Sequence, residues 1–424
     1  VINVLRKVGV DIANSSLLGG HALALRLVSR YIQEPNRSGI LEVINGVVAI
    51  RSSKYREVFQ EIEVDGRNAL RIFLSSEAID RLTKRECVIV SRLPIYHNYE
   101  ILRGGELEQS EMLACYGPLS KNNHYLDSKA VRVHPAAIPS QFIYTSSTNE
   151  EALLSKLGVS CVNEITFCVE HFLPKIEDIQ NSKARDDTLI SILLNLPRLG
   201  RESKQIVALL SETYCIPDQV GNLRRPCDLY DSDINDLKVL LQEDKTNFPA
   251  LEYSSPEILS SLRVLGLQTS LSRSKIVECA SSLNNDNDAG AEDEITSSIN
   301  EKAMCLMRYI DIHSKELFCA PEKNFLSVIS FRDDKAAVEE IDQFCQDMMG
   351  IEWVPVLTAP TDIHLPWRDG GLSKRAFRLP REVRPEEDKW LCSFSLGIVQ
   401  SGTVQSKVLK SFLGWDKPID PRVI

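Results

Sequence analysis

Three helices in this chain are written to stop in the same way, and that repetition limits the folds open to it. In SSPEILSSLRVLGLQ, residues 254–268, Ser255 is a good N-cap and Pro256 stands at the first helical position, where proline is favoured. Ile258, Leu259, Leu262 and Leu265 fall on one helical face. Gly266 follows the last apolar residue, as a left-handed C-terminal cap requires, and Leu267 can fold back onto the helix. SSTNEEALLSKLGVS repeats the plan, with Thr148 as expected cap, Glu151 completing a capping box, Leu153, Leu154 and Leu157 as the stripe and Gly158 as the stop. A third copy runs from Thr403 through Val408, Leu409, Phe412 and Leu413 to Gly414, and a truncated fourth is Leu5, Val8 and Gly9. The glycines stand 149, 108 and 148 residues apart. Those intervals are too long for a short-period solenoid and suit domain-sized units.

Each interval also holds an apolar run with a proline: CVIVSRLPIY at Pro94, SETYCIPDQ at Pro217 and GIEWVPVL at Pro355. Proline there argues for an edge strand or a strand end. Glycine turns follow the first two, at Gly104-Gly105 and Gly221-Asn222, so a hairpin is expected. The order strand, turn, polar stretch, capped helix, Leu-Gly predicts an α+β chain of three diverged mixed α/β modules in tandem. The expected units are 1–157, 158–265 and 266–424, with Gly158, Gly266 and Gly414 as structural markers. A length of 424 residues agrees with about three domains. Further helices are expected at NEITFCVEHFLPKIEDI, at DDTLISILLNLPRL with Asp186 or Asp187 near its start, and at DKAAVEEIDQFCQDMMG. Strands are expected at GILEVINGVVAI, NALRIFLS and KWLCSFSLGIV. Residues 282–298, with five acids, no bases and little bulky apolar content, read as a disordered acidic loop.

Net charge is −10, so the overall basic footprint of a nucleic-acid binder is missing. No apolar run approaches the roughly 18 residues of a membrane span, and no signal peptide is visible. Eleven scattered cysteines, an odd number without a C-x-x-C pair, fit reduced thiols in the cytoplasm or nucleus. The chain starts without Met and reads as a segment of something longer.

Chemistry-bearing motifs are sparse. Neither G-x-x-x-x-G-K-[ST] nor G-x-G-x-x-G occurs, and no cofactor is expected. Cys161, Cys168 and His171 are not at zinc-knuckle spacing and lack a fourth ligand, so no metal is expected. None of the seven histidines sits in a hydrolase or peptidase motif, although a composite site around Cys168 and His171 is one alternative. GNLRRPCDLYD joins Gly221, Arg224, Arg225, Pro226 and Asp231. Its arginines could clamp a carboxylate bidentately, with intramolecular pairing to Asp228 or Asp231 the favoured reading. HLPWRDGG and VRPEEDKWL place Trp367 and Trp390 around a proline-rich connection, as packed anchors or as a peptide-binding surface.

CIPDQVGNLRRPCDLYDSD followed by SLRVLGLQ resembles the repeat region of the sacsin family. The family pattern is an apolar-Pro strand, a Gly turn, Leu, Pro, Leu-Tyr-Asp and then a Leu-Gly-Leu helix end. SRLPIYHNYE, EEALL and LLSKLGVSCVNEITFCVEHFLP resemble neighbouring portions. WVPVL, LPW, VRPEEDKWLCS and LGWDKP resemble the plant sacsin-like proteins most, and the likeness runs from about Val88 to Pro418. The resemblance implies a giant protein of long repeats, each opening with an ATPase-like region, and chaperone-like work in protein quality control. Animal members carry ubiquitin-like, J and HEPN regions, and plant relatives a RING-type finger. The paired E-x-x-x-N helix and Asp-x-Gly-x-Gly loop of the ATPase-like fold are not found together here, so nucleotide binding is not implied for this segment. The expected function is a non-catalytic scaffold that binds client proteins or co-chaperones and packs on adjacent repeats, without nucleic acid or membrane. The alternative to it, besides an enzyme, is an adaptor segment of a RING-type ubiquitin ligase.

Overall fold

The computed structural model describes residues 41, 62–76, 79, 82–102, 109–127, 133–287, 293–319, 333–356, 377–392, 396–400 and 404–419. These residues form helices and small two-stranded sheets, an α+β arrangement. The chain divides into two compact units between Cys215 and Ile216.

The first unit contains α1 (Val64–Ser76), α2 (Lys84–Arg92), β1 (Tyr96–His97), α3 (Gln109–Ala114), β2 (Tyr116–Gly117), β3 (His124–Leu126), α4 (Thr148–Lys156), β4 (Ser160–Val162), α5 (Ser182–Glu202) and α6 (Lys204–Glu212). β1 pairs antiparallel with β2, and β3 parallel with β4. NALRIFLS, expected as a strand, lies in α1. Its buried positions Arg67, Leu70, Arg71 and Leu74 have the three-and-four spacing that only a helix puts on one face. The run before Pro94 differs for a related reason: residues 87–92 belong to α2, and the strand lies beyond the proline. A capping box starts that helix. The Glu86 N–H donates to Thr83 Oγ1 at 3.2 Å, and the Thr83 N–H donates to the Glu86 carboxylate at 2.8 Å. Leu70, Leu74, Val90, Tyr96, Leu153 and Leu154 meet in the core above these elements.

NEITFCVEHFLPKIEDI is not one helix. It is a short α-turn (Glu164–Thr166), a π-helix (Phe167–Phe172) and a 3₁₀ helix (Leu173–Asp178). Pro174 has no N–H, and its ring would meet the carbonyl four residues back, which disfavours an unbroken α-ladder through it. The Leu173 N–H donates instead to Cys168 O, five residues back. α5 begins before Asp186, where Asn181 Oδ1 accepts the Ala184 N–H at 3.0 Å, and it carries Pro197 in its interior.

The second unit contains β5 (Ile216–Pro217), β6 (Leu223–Arg224), α7 (Asn235–Leu241), α8 (Pro256–Val264), α9 (Arg273–Asn287), α10 (Asp293–Phe318), α11 (Asp333–Gly350), β7 (Val354–Pro355), β8 (Phe377–Arg378), β9 (Val383–Arg384), β10 (Gly397–Ile398) and α12 (Lys407–Phe412). β5–β6 and β7–β8 are antiparallel, and β9–β10 is parallel. Leu237, Ile276, Leu306, Met348, Trp353 and Leu409 belong to one core. That core draws on both sides of Gly266, so this glycine ends a helix within a unit instead of dividing two cores. The acidic stretch is helical at both described ends: residues 282–287 finish α9 and residues 293–298 start α10. Leu283 is fully buried, and Ser282 Oγ accepts from Lys302 Nζ at 2.9 Å, which anchors the end of α9 to α10. In KWLCSFSLGIV, Lys389–Cys392 is a helical turn and, among the described residues, Gly397–Ile398 is the strand. Of GILEVINGVVAI only Leu41 is among the described residues.

Candidate functional site

Gly158, Gly266 and Gly414 have φ of +84°, +103° and +72°. At each, the N–H after the glycine reaches back to the residue five before it: Val159 to Leu154 O (3.0 Å), Leu267 to Leu262 O (2.9 Å) and Trp415 to Lys410 O (2.8 Å). This closes the helix end by satisfying a carbonyl that would otherwise lack a partner. The starts are less uniform. Ser255 caps α8 as expected, its Oγ accepting from the Ile258 N–H at 3.4 Å. α4 is capped by Ser147 in place of Thr148, and the Glu150 carboxylate accepts the Ser146 N–H at 2.8 Å. α12 is capped by Ser406; Thr403 lies outside the described residues.

A second set of contacts precedes each of these helices. The carbonyls of His97, Pro217 and Pro355 accept from the N–H groups of Tyr144, Ala250 and Gln400 at 2.9, 2.8 and 2.9 Å. One residue further, Asn98 bridges Ile143, Asp218 bridges Pro249, and Val356 bridges Val399, all antiparallel. A third segment then lies alongside: the Ile143 N–H donates to His124 O at 2.8 Å and the Val399 N–H to Arg384 O at 3.0 Å. Pro249 has no N–H, and there the Tyr230 N–H donates to Asn247 O at 2.8 Å.

The middle crossing holds the arginines singled out in the sequence. Gly221, at φ +102°, turns the chain between β5 and β6. Asp218, with its side chain fully buried, accepts the N–H groups of Val220, Gly221 and Asn222, each at 2.9 Å. Burial alone would raise that carboxyl, but these amides together with Asn222 and Arg224 hold it below its ordinary value. Arg224 Nε lies 3.3 Å from Asp218 Oδ2. Arg225 forms a fork on Asp228, at 3.0 and 3.2 Å. Pro226 opens a 3₁₀ turn and is buried. Asp231, also fully buried, pairs with Arg263 of α8, and its N–H donates to Gln268 O at 2.9 Å. The sequence does not announce Asp218 or Arg263, although an Asp ahead of a Gly-Asn turn is an Asx-turn signal. Trp367 lies outside the described residues, and the backbone of Trp390 belongs to the turn Lys389–Cys392.

In the first unit, Cys168 and His171 share the π-helix. Cys168 is buried and its thiol is pushed up to about 12, by burial first and then by Glu164. That direction opposes formation of a thiolate. The His171 ring meets Phe142 edge-on at 5.0 Å and His124 at 5.5 Å, and its Nδ1 is 3.2 Å from Gln141 Nε2. Burial, followed by His124, lowers its pKa. An open cavity of about 420 Å³ is lined by His171, Lys175, Asp178, Asn181 and the 136–139 turn. Among the described residues no group of three or more His, Cys, Asp or Glu side chains could hold a metal ion, and no helix is long and apolar enough to cross a membrane.

Against known proteins, the chain aligns at 24% identity over 265 residues with a far longer protein, covering 60% of this chain and 5% of that one. The relative is human sacsin. The likeness supports a sacsin-like relationship, and the aligned stretch spans 5% of the length of sacsin. No family model matches the chain, and no solved structure matches it.

Proposed function

We propose that this chain is a non-catalytic scaffold segment of a sacsin-like protein, built from three diverged modules in tandem, the second and third sharing one core, whose surfaces bind client proteins or co-chaperones in the cytoplasm or nucleus. The observation that carries the reading is the crossing around Asn98, Asp218 and Val356, each followed by a helix closed by a left-handed glycine. Strands of two or three residues bury too little to stand alone, so such modules depend on the helices packed around them. That makes them spacers and platforms, and the sacsin-like relationship supplies the chaperone context. In the middle module Val220, Leu251 and Val264 stay largely exposed, apolar surface that an unfolded client could cover.

The test is suppression of aggregation. The purified chain, added without nucleotide to a thermally unfolding enzyme, is expected to delay light scattering in proportion to its concentration. Replacing Val220, Leu251 and Val264 together by Ser should weaken that effect while leaving the circular dichroism unchanged. ATP hydrolysis abolished by one point substitution would overturn the non-catalytic reading, and no effect on scattering would overturn client binding.

A further inference from the structure

The β5–β6 hairpin has an open outer edge. Ile216 opposes Arg224 and Pro217 opposes Leu223 in its ladder. Pro217 has no N–H, and its carbonyl is turned the other way, to the Ala250 N–H. The next pair is bonded, the Asp218 N–H donating to Asn222 O at 2.8 Å. Bonded and unbonded pairs alternate in an antiparallel ladder, so the N–H and C=O of Leu223 point outward, away from β5. Neither has a partner among the described residues. The equivalent residues, Tyr116 opposite His97 and Phe377 opposite Pro355, are buried, at 7% and 2% exposure, whereas Leu223 is half-buried. Beside it Arg224 is 41% exposed, and its Nε bonds Asp218, which leaves the terminal nitrogens for a partner. Outward N–H and C=O groups on an edge strand are a template for another strand.

We propose that the outer edge of β6 takes an extended peptide segment as an added antiparallel strand, with an aliphatic residue opposite Leu223 and a carboxylate opposite Arg224. The inference rests on the reading of this chain as a client-binding platform, and it names the form of the client. An antiparallel partner exchanges both bonds with one residue. The Leu223 N–H donates to the carbonyl of the aliphatic residue, and the N–H of that residue donates to Leu223 O. The preceding residue of the segment then stands opposite Arg224, with its Cβ about 5 Å from that of the arginine. A carboxylate there meets the free guanidinium nitrogens. One such bonded pair makes a weak contact that exchanges readily.

The probe is a fluorescently labelled, end-blocked eight-residue peptide of threonine with one Asp-Val pair at its centre, followed by anisotropy. Binding is expected, with slower hydrogen exchange over residues 219–225. N-methylation of the peptide valine removes the donor that faces β6 and should weaken binding roughly three- to ten-fold. N-methylation of the peptide aspartate, whose N–H faces away, should leave it unchanged. Asparagine in place of that aspartate should cost roughly two- to five-fold. L223P removes the outward N–H where an edge strand tolerates proline, and should match the loss seen with N-methyl valine. Equal binding of the two N-methyl peptides, or no binding of the parent peptide, overturns the edge, and neither result depends on a variant folding. The peptide series decides the edge and the scattering assay decides client binding, so the two readings can fail separately.

Discussion

The crossings around Asn98 and Asp218 share an antiparallel bridge and the bond to the carbonyl just before it but bury different charged groups. Behind Asn98 the buried ionic group is a pair: Arg71 Nε of α1 lies 3.1 Å from Glu150 Oε1 of α4, with the two side chains 6% and 3% exposed. Neutral His97 sits beside it, stacked on Tyr144 and tilted against Tyr116. Around Asp218 only carboxylates are buried, and their arginines, Arg224 and Arg263, lie at the surface. The first arrangement ties two helices together across a core, and the second ties the 218–224 turn to itself and Asp231 to α8. The same strand crossing therefore tolerates quite different electrostatics, but the two designs should fail differently.

The largest difference should come from removing one member of the buried pair. Glu150→Ala strands the Arg71 guanidinium and also releases Ser146, whose N–H the same carboxylate accepts. The expected loss is about 3–5 kcal/mol. Hydrogen exchange should show it in α1 and α4 and leave the amides around Asp218 protected. Equal loss of protection in both units would mean that the ion pair does not act locally.

His97 gives the next effect, and it depends on pH. Burial first, and then Arg71, holds its pKa at about 4 against an ordinary 6.5, while the Asn98 carbonyl and Glu150 pull the other way. Above 6.5 both folded and unfolded imidazoles are neutral. As pH falls from 6.5 to about 4, the unfolded chain takes up a proton that the folded one refuses, so stability is lost over that window. The full loss is about 3 kcal/mol. Denaturant titrations of wild type and H97Q at pH 7 and pH 4.5 would check this: the variant should lose less between the two.

Asp218→Asn keeps an oxygen for the three amides but removes the charge that strengthens them and pairs with Arg224. A loss of about 2 kcal/mol is expected, confined to the second unit, with fast exchange at Val220, Gly221 and Asn222. Unchanged exchange there would remove the carboxylate from the account of the turn.

How far these features were legible follows from how local each one is. The helix ends at Gly158, Gly266 and Gly414 rest on a few adjacent residues and stand in the sequence as written. So does the proline start of α8. NALRIFLS and the run before Pro94 read as strands because β-branched and aromatic residues cluster there. The three-and-four spacing of Leu70, Arg71 and Leu74 and the Thr83–Glu86 box outweigh that local preference. Unit boundaries were read from Gly266, yet a helix stop does not say what lies beyond it; the core shared by Leu237, Ile276 and Leu409 is settled by long-range packing. Arg71 with Glu150, and His124 with His171, are invisible in one dimension because each pair joins separate elements.

The smallest effect separates the helix ends themselves. At all three glycines a Cβ must enter the left-handed region, which costs roughly 1–2 kcal/mol for an L-residue. Steric crowding adds little: nothing lies within 4 Å of a Cβ at Gly158 or Gly414, and at Gly266 the nearest atom is Cys227 Cβ at 3.7 Å, an ordinary contact. Backbone angle should therefore decide the ranking. Gly414, at φ +72°, is nearest the left-handed minimum near +57°, Gly158 at +84° is further, and Gly266 at +103° is furthest. G266A should cost most and G414A least, with Asn at Gly414 recovering part of the loss. Thermal unfolding of the three alanine variants gives the order directly. A reversed order would mean that packing of the new methyl on Cys227 outweighs the backbone cost at Gly266, and the helix ends would then differ in kind as the buried charges do.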